Sequence, residues 1–193
     1  IENYTTTIKQ ALQNEFDDAA AGGKIRTETI ASIGGSDVRL KQSADLGNGA
    51  DGAITVSSST NINTTNLIVG RTCVDGGDAV NYSVTALTST TATLSVSPSS
   101  GCLAAGGEIL LIALQGSVSS TTNIGNYETL RIQSVSTNVV TFVTAKTNFY
   151  GDVAGADTNI GTGGTNHKVV LQRVPNYTNV TVNTGVNFTP TAW

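Results

Sequence analysis

From about residue 53 onward, apolar and polar residues alternate with a period of two, the spacing of a strand that buries one face. Val80, Tyr82, Val84 and Ala86 alternate with Asn81, Ser83 and Thr85; after a short turn, Ala92, Leu94 and Val96 alternate with Thr91, Thr93 and Ser95. These runs predict a hairpin with one wet face. Gly106-Gly107 precede Glu108 to Gln115, whose unbroken apolar centre predicts a strand buried on both faces. Thr129 to Val135 and Val139 to Thr144 predict a second hairpin around Ser136-Thr137-Asn138. Lys168 to Val174 and Asn179 to Val182, parted by Pro175, finish the series. Thr and Val are abundant in these runs, and β-branched side chains fit a pleated surface. Short strands cut by Gly, Asn and Ser turns predict an all-β fold, a β-sandwich or a small β-barrel.

The first 52 residues read differently. Ile8, Leu12 and Phe16 with Ala11, Ala19 and Ala20 form a stripe at helical spacing, which predicts a helix over Ile8 to Ala21 ended by Gly22-Gly23. From Lys24 to Leu40 the pattern is extended, and a Gly/Asp-rich turn region, Asp45 to Gly52, follows. Residues 1–52 also hold five of the ten Lys/Arg and eight of the fourteen Asp/Glu. The expected organisation is an N-terminal arm over 1–52 and a β domain over 53–193.

Composition narrows the function classes. Among 193 residues, 38% are hydrophobic and only 12% charged, enough apolar surface for one core. No apolar run is long enough to span a membrane. A net charge of −4 without any Lys/Arg cluster argues against nucleic acid as a partner. There is no methionine, so Ile1 is not a translation start; either processing made this end or the chain is a piece of a larger protein. A charge-poor, Thr/Asn-rich chain of this kind is expected outside the cell or on its surface. Cys73 and Cys102 enclose the first predicted hairpin, and in an oxidising compartment they are expected to form a disulfide.

Candidate chemistry is sparse. His167 is the single histidine; it lies beside a Gly/Thr-rich loop, where a surface position is expected, and no G-x-S-x-G elbow accompanies it. A glycosidase needs two carboxylates facing a cleft. Asp75 and Asp78 flank Gly76-Gly77 and read as turn residues, and Glu108 opens a strand. The chain is therefore not expected to be an enzyme. Asp45, Asn48 and Asp51 in the Gly-rich turn region offer oxygen ligands to calcium, without the spacing of an EF-hand loop. No other cofactor is implied. Asn3, Asn63, Asn81, Asn176, Asn179 and Asn187 begin N-x-S/T sequons, although the Asn, Ser and Thr content alone predicts nearly as many. Sugar-binding modules stack rings on exposed aromatic side chains, and Tyr127, Tyr150, Tyr177 and Trp193 are the candidates left once Tyr82 and Phe142 are placed inward.

Four stretches carry a resemblance: LGNGADGAITV (46–56), GGEILLIALQG (106–116), NYETLRIQSVSTNVVTFV (126–143) and VVLQRVPNYTNVTVNTGVNFTPTAW (169–193). Together they resemble a β-rich module of large secreted bacterial surface and adhesin-like proteins, which opens on G-D-G-x-D-G-A-L-x-V and closes on R-V-P-x-Y-T-N-V-T-V. The resemblance implies a surface location and no catalytic residues.

Two functional expectations result. The first is an extracellular structural subunit that polymerises with copies of itself. In it the extended arm, with Lys24, Ile25, Thr27, Thr29, Ile30 and Ile33, adds as a strand to a neighbour's sheet. The alternative is an adhesin-like or carbohydrate-binding surface module, with glycans as partners.

Overall fold

In the computed structural model the chain divides into two units, Ile1–Leu46 and Gly47–Trp193. The described residues are 28–30 and 40–42, as strand backbone, and 48–191. In the first unit β1 (Glu28–Ile30) pairs antiparallel with β2 (Leu40–Gln42), setting Thr29 opposite Lys41 and Ile30 opposite Leu40. Two of the expected arm residues, Thr29 and Ile30, are thus paired within their own chain. The helix expected over Ile8 to Ala21 lies outside the described residues, as do Lys24, Ile25, Thr27 and Ile33.

The second unit contains β3 (Ala53–Val56), β4 (Thr60–Asn61), β5 (Asn81–Leu87), β6 (Thr91–Leu94), β7 (Glu108–Gln115), β8 (Tyr127–Ser136), β9 (Val139–Phe142), β10 (Lys168–Val174), β11 (Asn179–Val182) and β12 (Phe188–Thr189). Six strands close a barrel in the order β10-β5-β6-β9-β8-β7. Every neighbouring pair is antiparallel. Of the two expected all-β forms, the chain takes the barrel, and both predicted hairpins are present as β5–β6 and β8–β9. Closure leaves no free strand edge in this sheet.

The barrel is filled from inside by the alternating apolar positions. Tyr82 and Val84, Ala92 and Leu94, Leu130 and Ile132, Val140 and Phe142, and Val169 and Leu171 all point to one buried cluster. β7 corrects the sequence reading. Ile109, Leu111 and Ala113 are buried, whereas Leu110, Ile112 and Leu114 on the other face are only half-buried. In a closed barrel only one face of a strand meets the interior, so an unbroken apolar run does not by itself require burial on both sides.

The first and last strands of the unit meet outside the barrel. β3 pairs in parallel with β11, placing Ile54 beside Val180 and Val56 beside Val182, and β4 pairs in parallel with β12. Parallel strands need a long crossover rather than a tight turn, and here the barrel itself is the crossover. Parts of two stretches carrying the resemblance, residues 53–56 of the opening and 179–182 of the close, therefore lie side by side in this ladder.

The barrel has two unlike ends. At one lie the β5–β6 turn, the β7–β8 loop (116–126) and the β9–β10 loop (143–167). At the other lie the β6–β7 loop (95–107), the β8–β9 turn and the segment 62–80 that leads into β5. Cys73 and Cys102 are bonded there, with an S–S distance of 2.07 Å.

Candidate functional site

Among the described residues, the exposed aromatic side chains lie at the end bearing the two long loops. Glu128, near the start of β8, organises it. Its Oε2 accepts hydrogen bonds from Thr147 N at 2.8 Å and Thr147 Oγ1 at 3.1 Å. Its Oε1 accepts Asn148 N at 3.1 Å and the Tyr150 hydroxyl at 2.8 Å. Burial acts to raise the pKa of this carboxyl, but the bonds from Thr147, Tyr150 and Asn148 outweigh it and hold the pKa below the ordinary value. Burial, and then the Glu128 carboxylate, push the Tyr150 phenol well above its usual range.

The loops are then stitched together by side-chain amides. Asn123 Nδ2 donates to Gly151 O at 2.8 Å and to Val153 O at 3.0 Å. Ser120 Oγ donates to Asp152 O at 2.7 Å. A crossed pair fixes the aromatic positions: Asn126 Nδ2 donates to Phe149 O and Asn148 Nδ2 to Tyr127 O, at 2.8 and 2.9 Å. Gly151 admits no side chain, since a Cβ there would sit 2.3 Å from Thr158 N and O. The outcome is two adjoining segments that leave Tyr127 63% and Phe149 42% exposed, in the same loop lobe as exposed Ile124 and Val153. Lys146 Nζ stands 4.8 Å from the Phe149 ring centroid. Rings presented to solvent beside polar amides can take an apolar sugar face and leave its hydroxyls wet.

The other aromatic candidates are placed differently. Tyr150 is fully buried in the core, and Tyr177 is half-buried with its hydroxyl donating to Asp78 Oδ2 at 2.7 Å. A phenol paired with a carboxylate can be buried at little cost, which is why neither ring faces solvent. Trp193 lies outside the described residues. Phe149 escaped the sequence reading; its one signal was an aromatic residue in a polar loop without strand alternation.

His167 is buried rather than exposed, which corrects the expectation from its loop. The backbone explains it: Ile160 and His167 form a bridge, with Gly161 N donating to His167 O at 3.1 Å and His167 N to Asn159 O at 2.8 Å. The ring nitrogen Nε2 lies 3.2 Å from Ser120 O, while Nδ1 has no hydrogen-bond partner. The Ser120 hydroxyl is turned to the Asp152 carbonyl, so the two are not set as nucleophile and base.

The calcium candidates divide. Asp51 Oδ1 meets Arg173 Nη2 at 2.5 Å and its Oδ2 accepts Asn176 N at 2.6 Å. Asn48 Oδ1 accepts Ala50 N at 3.0 Å, and Asp45 lies outside the described residues. Among the sequons, Asn63 donates to Ala79 O and accepts Thr191 N. Asn176 accepts Asn48 N and donates to Val174 O. Asn81, Asn179 and Asn187 are exposed, and Asn3 lies outside the described residues.

The opposite end of the barrel holds a polar network that the sequence did not announce. Asp78, read as a turn residue, is fully buried. Its carboxylate accepts Leu67 N at 3.1 Å and the Tyr177 hydroxyl, and lies 3.5 Å from Arg71 Nε. Arg71 further donates to the carbonyls of Gly77, Gly101 and Cys102. Burial, and then the nearby Arg173, pull the Arg71 guanidinium below its ordinary pKa. Arg173 Nη1 donates to Asp78 O at 3.1 Å while Nη2 holds Asp51. Beside this network Gly77 lets the 62–65 segment pack closely, since a Cβ there would sit 2.3 Å from Ile62 O and 2.4 Å from Thr65 N. The network ties the opening of the unit to the R-V-P-N-Y segment at the end of β10.

No family model matches the chain, and no curated protein is similar to it. Three solved structures are similar at low identity. The Gp54 tailspike of Acinetobacter baumannii bacteriophage AP22, in complex with A. baumannii capsular saccharide, is 16% identical over 70% of this chain and 24% of its own, with a TM-score of 0.30. The tailspike gp49 of Pseudomonas phage LKA1 is 18% identical over 74% of this chain and 23% of its own, with a TM-score of 0.30. The Pseudomonas phage phi297 tailspike gp61 is 16% identical over 72% and 21%, with a TM-score of 0.27. The chain thus spans less than a quarter of the length of each tailspike it matches.

Proposed function

We propose that this chain is a carbohydrate-binding module displayed outside the cell, which takes sugar rings on Tyr127 and Phe149. The observation that carries the reading is the crossed Asn126 and Asn148 pair, which fixes two neighbouring segments with both aromatic side chains exposed. The Cys73–Cys102 bond agrees with an oxidising, extracellular setting. The test is a glycan array probed with the full chain and with Tyr127→Ala and Phe149→Ala. The expected result is binding to a restricted set of glycans that falls at least tenfold in each variant, while melting temperatures stay close to the parent's. Equal signals from all three proteins, or no glycan bound by any, would sink the reading.

A second reading, a subunit that self-assembles by strand addition, is favoured by the β11 edge. β11 is hydrogen-bonded only to β3, all four of its residues are exposed, and residues 176–191 carry no charge to guard the edge. Val180 and Val182 continue the column of Ile54 and Val56, which are buried one rung away. Electron microscopy of the intact protein beside Val180→Lys/Val182→Lys tests it. Filaments from the parent alone are expected, and monodisperse particles from both would remove this reading.

A further inference from the structure

Lys146 and Asp157 meet inside the β9–β10 loop, sheltered from water. Lys146 Nζ lies 2.5 Å from Asp157 Oδ2, and the two side chains are 4% and 14% exposed. Each group is aimed by a further bond. Tyr150 N donates to Asp157 Oδ1 at 2.9 Å, which turns Oδ2 toward the amine. Lys146 Nζ also donates to Asn148 O at 2.9 Å. The Phe149 and Tyr150 ring centroids stand 4.8 and 5.7 Å from Nζ, filling space that water would otherwise take. Glu128 fixes the intervening turn through Thr147, Asn148 and Tyr150, so the amine and the acid are held by one scaffold. A surface ion pair is exposed and mobile. This one is dry, held from several sides, and has a carbonyl carbon one bond beyond the contacted oxygen.

We propose that Lys146 and Asp157 join covalently through an isopeptide bond between Nζ and Cγ. Nζ passes one proton to Oδ2, giving a neutral amine and a neutral acid, and the amine then adds to Cγ. A second proton moves from nitrogen to the departing oxygen, which leaves as water, and a secondary amide remains. The condensation changes no oxidation state and needs no co-reactant. Exclusion of water assists it twice. It lowers the cost of replacing two charges by a neutral pair. It also favours loss of water from the adduct. Fixed juxtaposition supplies the rest, since well-oriented intramolecular pairs reach effective concentrations of about 10⁵–10⁸ M. The product would lock the aromatic-bearing loop onto itself, a covalent staple built from side chains other than the cysteines.

The measurement is the intact mass of the purified, reduced protein, followed by tryptic mapping. The expected mass is about 18 Da, one water, below that of the sequence, with no cleavage after Lys146 and a branched peptide joining residues 146 and 157. The variant Lys146→Arg keeps the positive charge but cannot form the amide; its mass should equal the sequence mass, with cleavage after residue 146 restored. A parent protein of full sequence mass that trypsin cuts after Lys146 overturns the proposal. A lighter parent whose missing water maps to another residue pair overturns it equally.

Discussion

The two ends of the barrel are closed by different means. At the disulfide end the chain is held by buried charge: Asp78, Arg71, Arg173 and Asp51 form a chain of contacts beside the Cys73–Cys102 bond. At the loop end the contacts between the two long loops are made by neutral amides of Asn123, Asn126 and Asn148 around Glu128, while the charged Lys146–Asp157 pair lies within one loop. A buried charge cannot be given up singly, because its partners are then left without compensation. A neutral amide bond contributes about 0.5–1.5 kcal/mol and can be lost one at a time. The first end is thus held across its segments by coupled charges, whereas the second joins its two loops through separable amide bonds and presents Tyr127 and Phe149. The comparison teaches where a sugar-binding function can reside: on the end where the aromatic side chains of Tyr127 and Phe149 face solvent.

The sharpest way to break this contrast is Asp78→Ala. It leaves the Tyr177 hydroxyl and the Leu67 amide without their acceptor, and Arg71 without its counter-charge, in a site closed to water. The expected loss is about 3–5 kcal/mol, read as a fall in the urea midpoint. A loss below about 1 kcal/mol would mean that the network is dispensable and the ends are alike. Removing the disulfide should come next. Cys73 and Cys102 are separated by 29 positions, and a loop of that size is worth about 3–4 kcal/mol through the unfolded chain. Thermal melts of Cys73→Ser/Cys102→Ser against the parent measure it, and an unchanged melting temperature would count against the staple.

How much of this was legible depends on range. Strand patterns located β5 through β10, by alternation at β5 and β6 and by an unbroken apolar run at β7, because each strand buries its inward residues in one closed core. The register of β3 with β11 was not legible, because a parallel pair separated by a whole barrel leaves no turn signal between its strands. Asp78 was misread for the same reason. Beside Gly76-Gly77 it looks like a turn residue, and its true partners, Arg71 and Tyr177, are set by tertiary packing. Of the exposed aromatic residues, Tyr127 was legible as one of the four left once Tyr82 and Phe142 are placed inward. Phe149 was not, since its exposure depends on Asn126 from another loop.

A smaller effect sharpens the loop end. The Glu128 carboxyl has a folded-state pKa below its ordinary 4.5, despite the burial that opposes it, because of its bonds from Thr147, Tyr150 and Asn148. A depressed carboxyl pKa means that the native state prefers the charged form more than the unfolded chain does. Its stabilisation is therefore fully present above about pH 4.5 and is lost as pH falls through the lower, folded-state value. Glu128→Gln should cost about 1–2 kcal/mol at neutral pH and little in acid, flattening the acid limb of the stability profile. Parallel profiles for parent and variant would show that the carboxylate is not what orders the loops.

The smallest expected change is the most diagnostic. Tyr127 sits at the start of β8 with its side chain 63% exposed, so Tyr127→Ala removes little buried area and should cost within about 0.5 kcal/mol. Its backbone carbonyl still accepts the Asn148 amide, so the loop crossing survives the substitution. A binding function predicts that stability is indifferent to this ring while ligand affinity is not. Calorimetric melts and glycan titrations of the same variant separate the two quantities. A stability loss above about 1.5 kcal/mol would place the ring among the packing residues, and the loop end would then be a second core rather than a displayed surface.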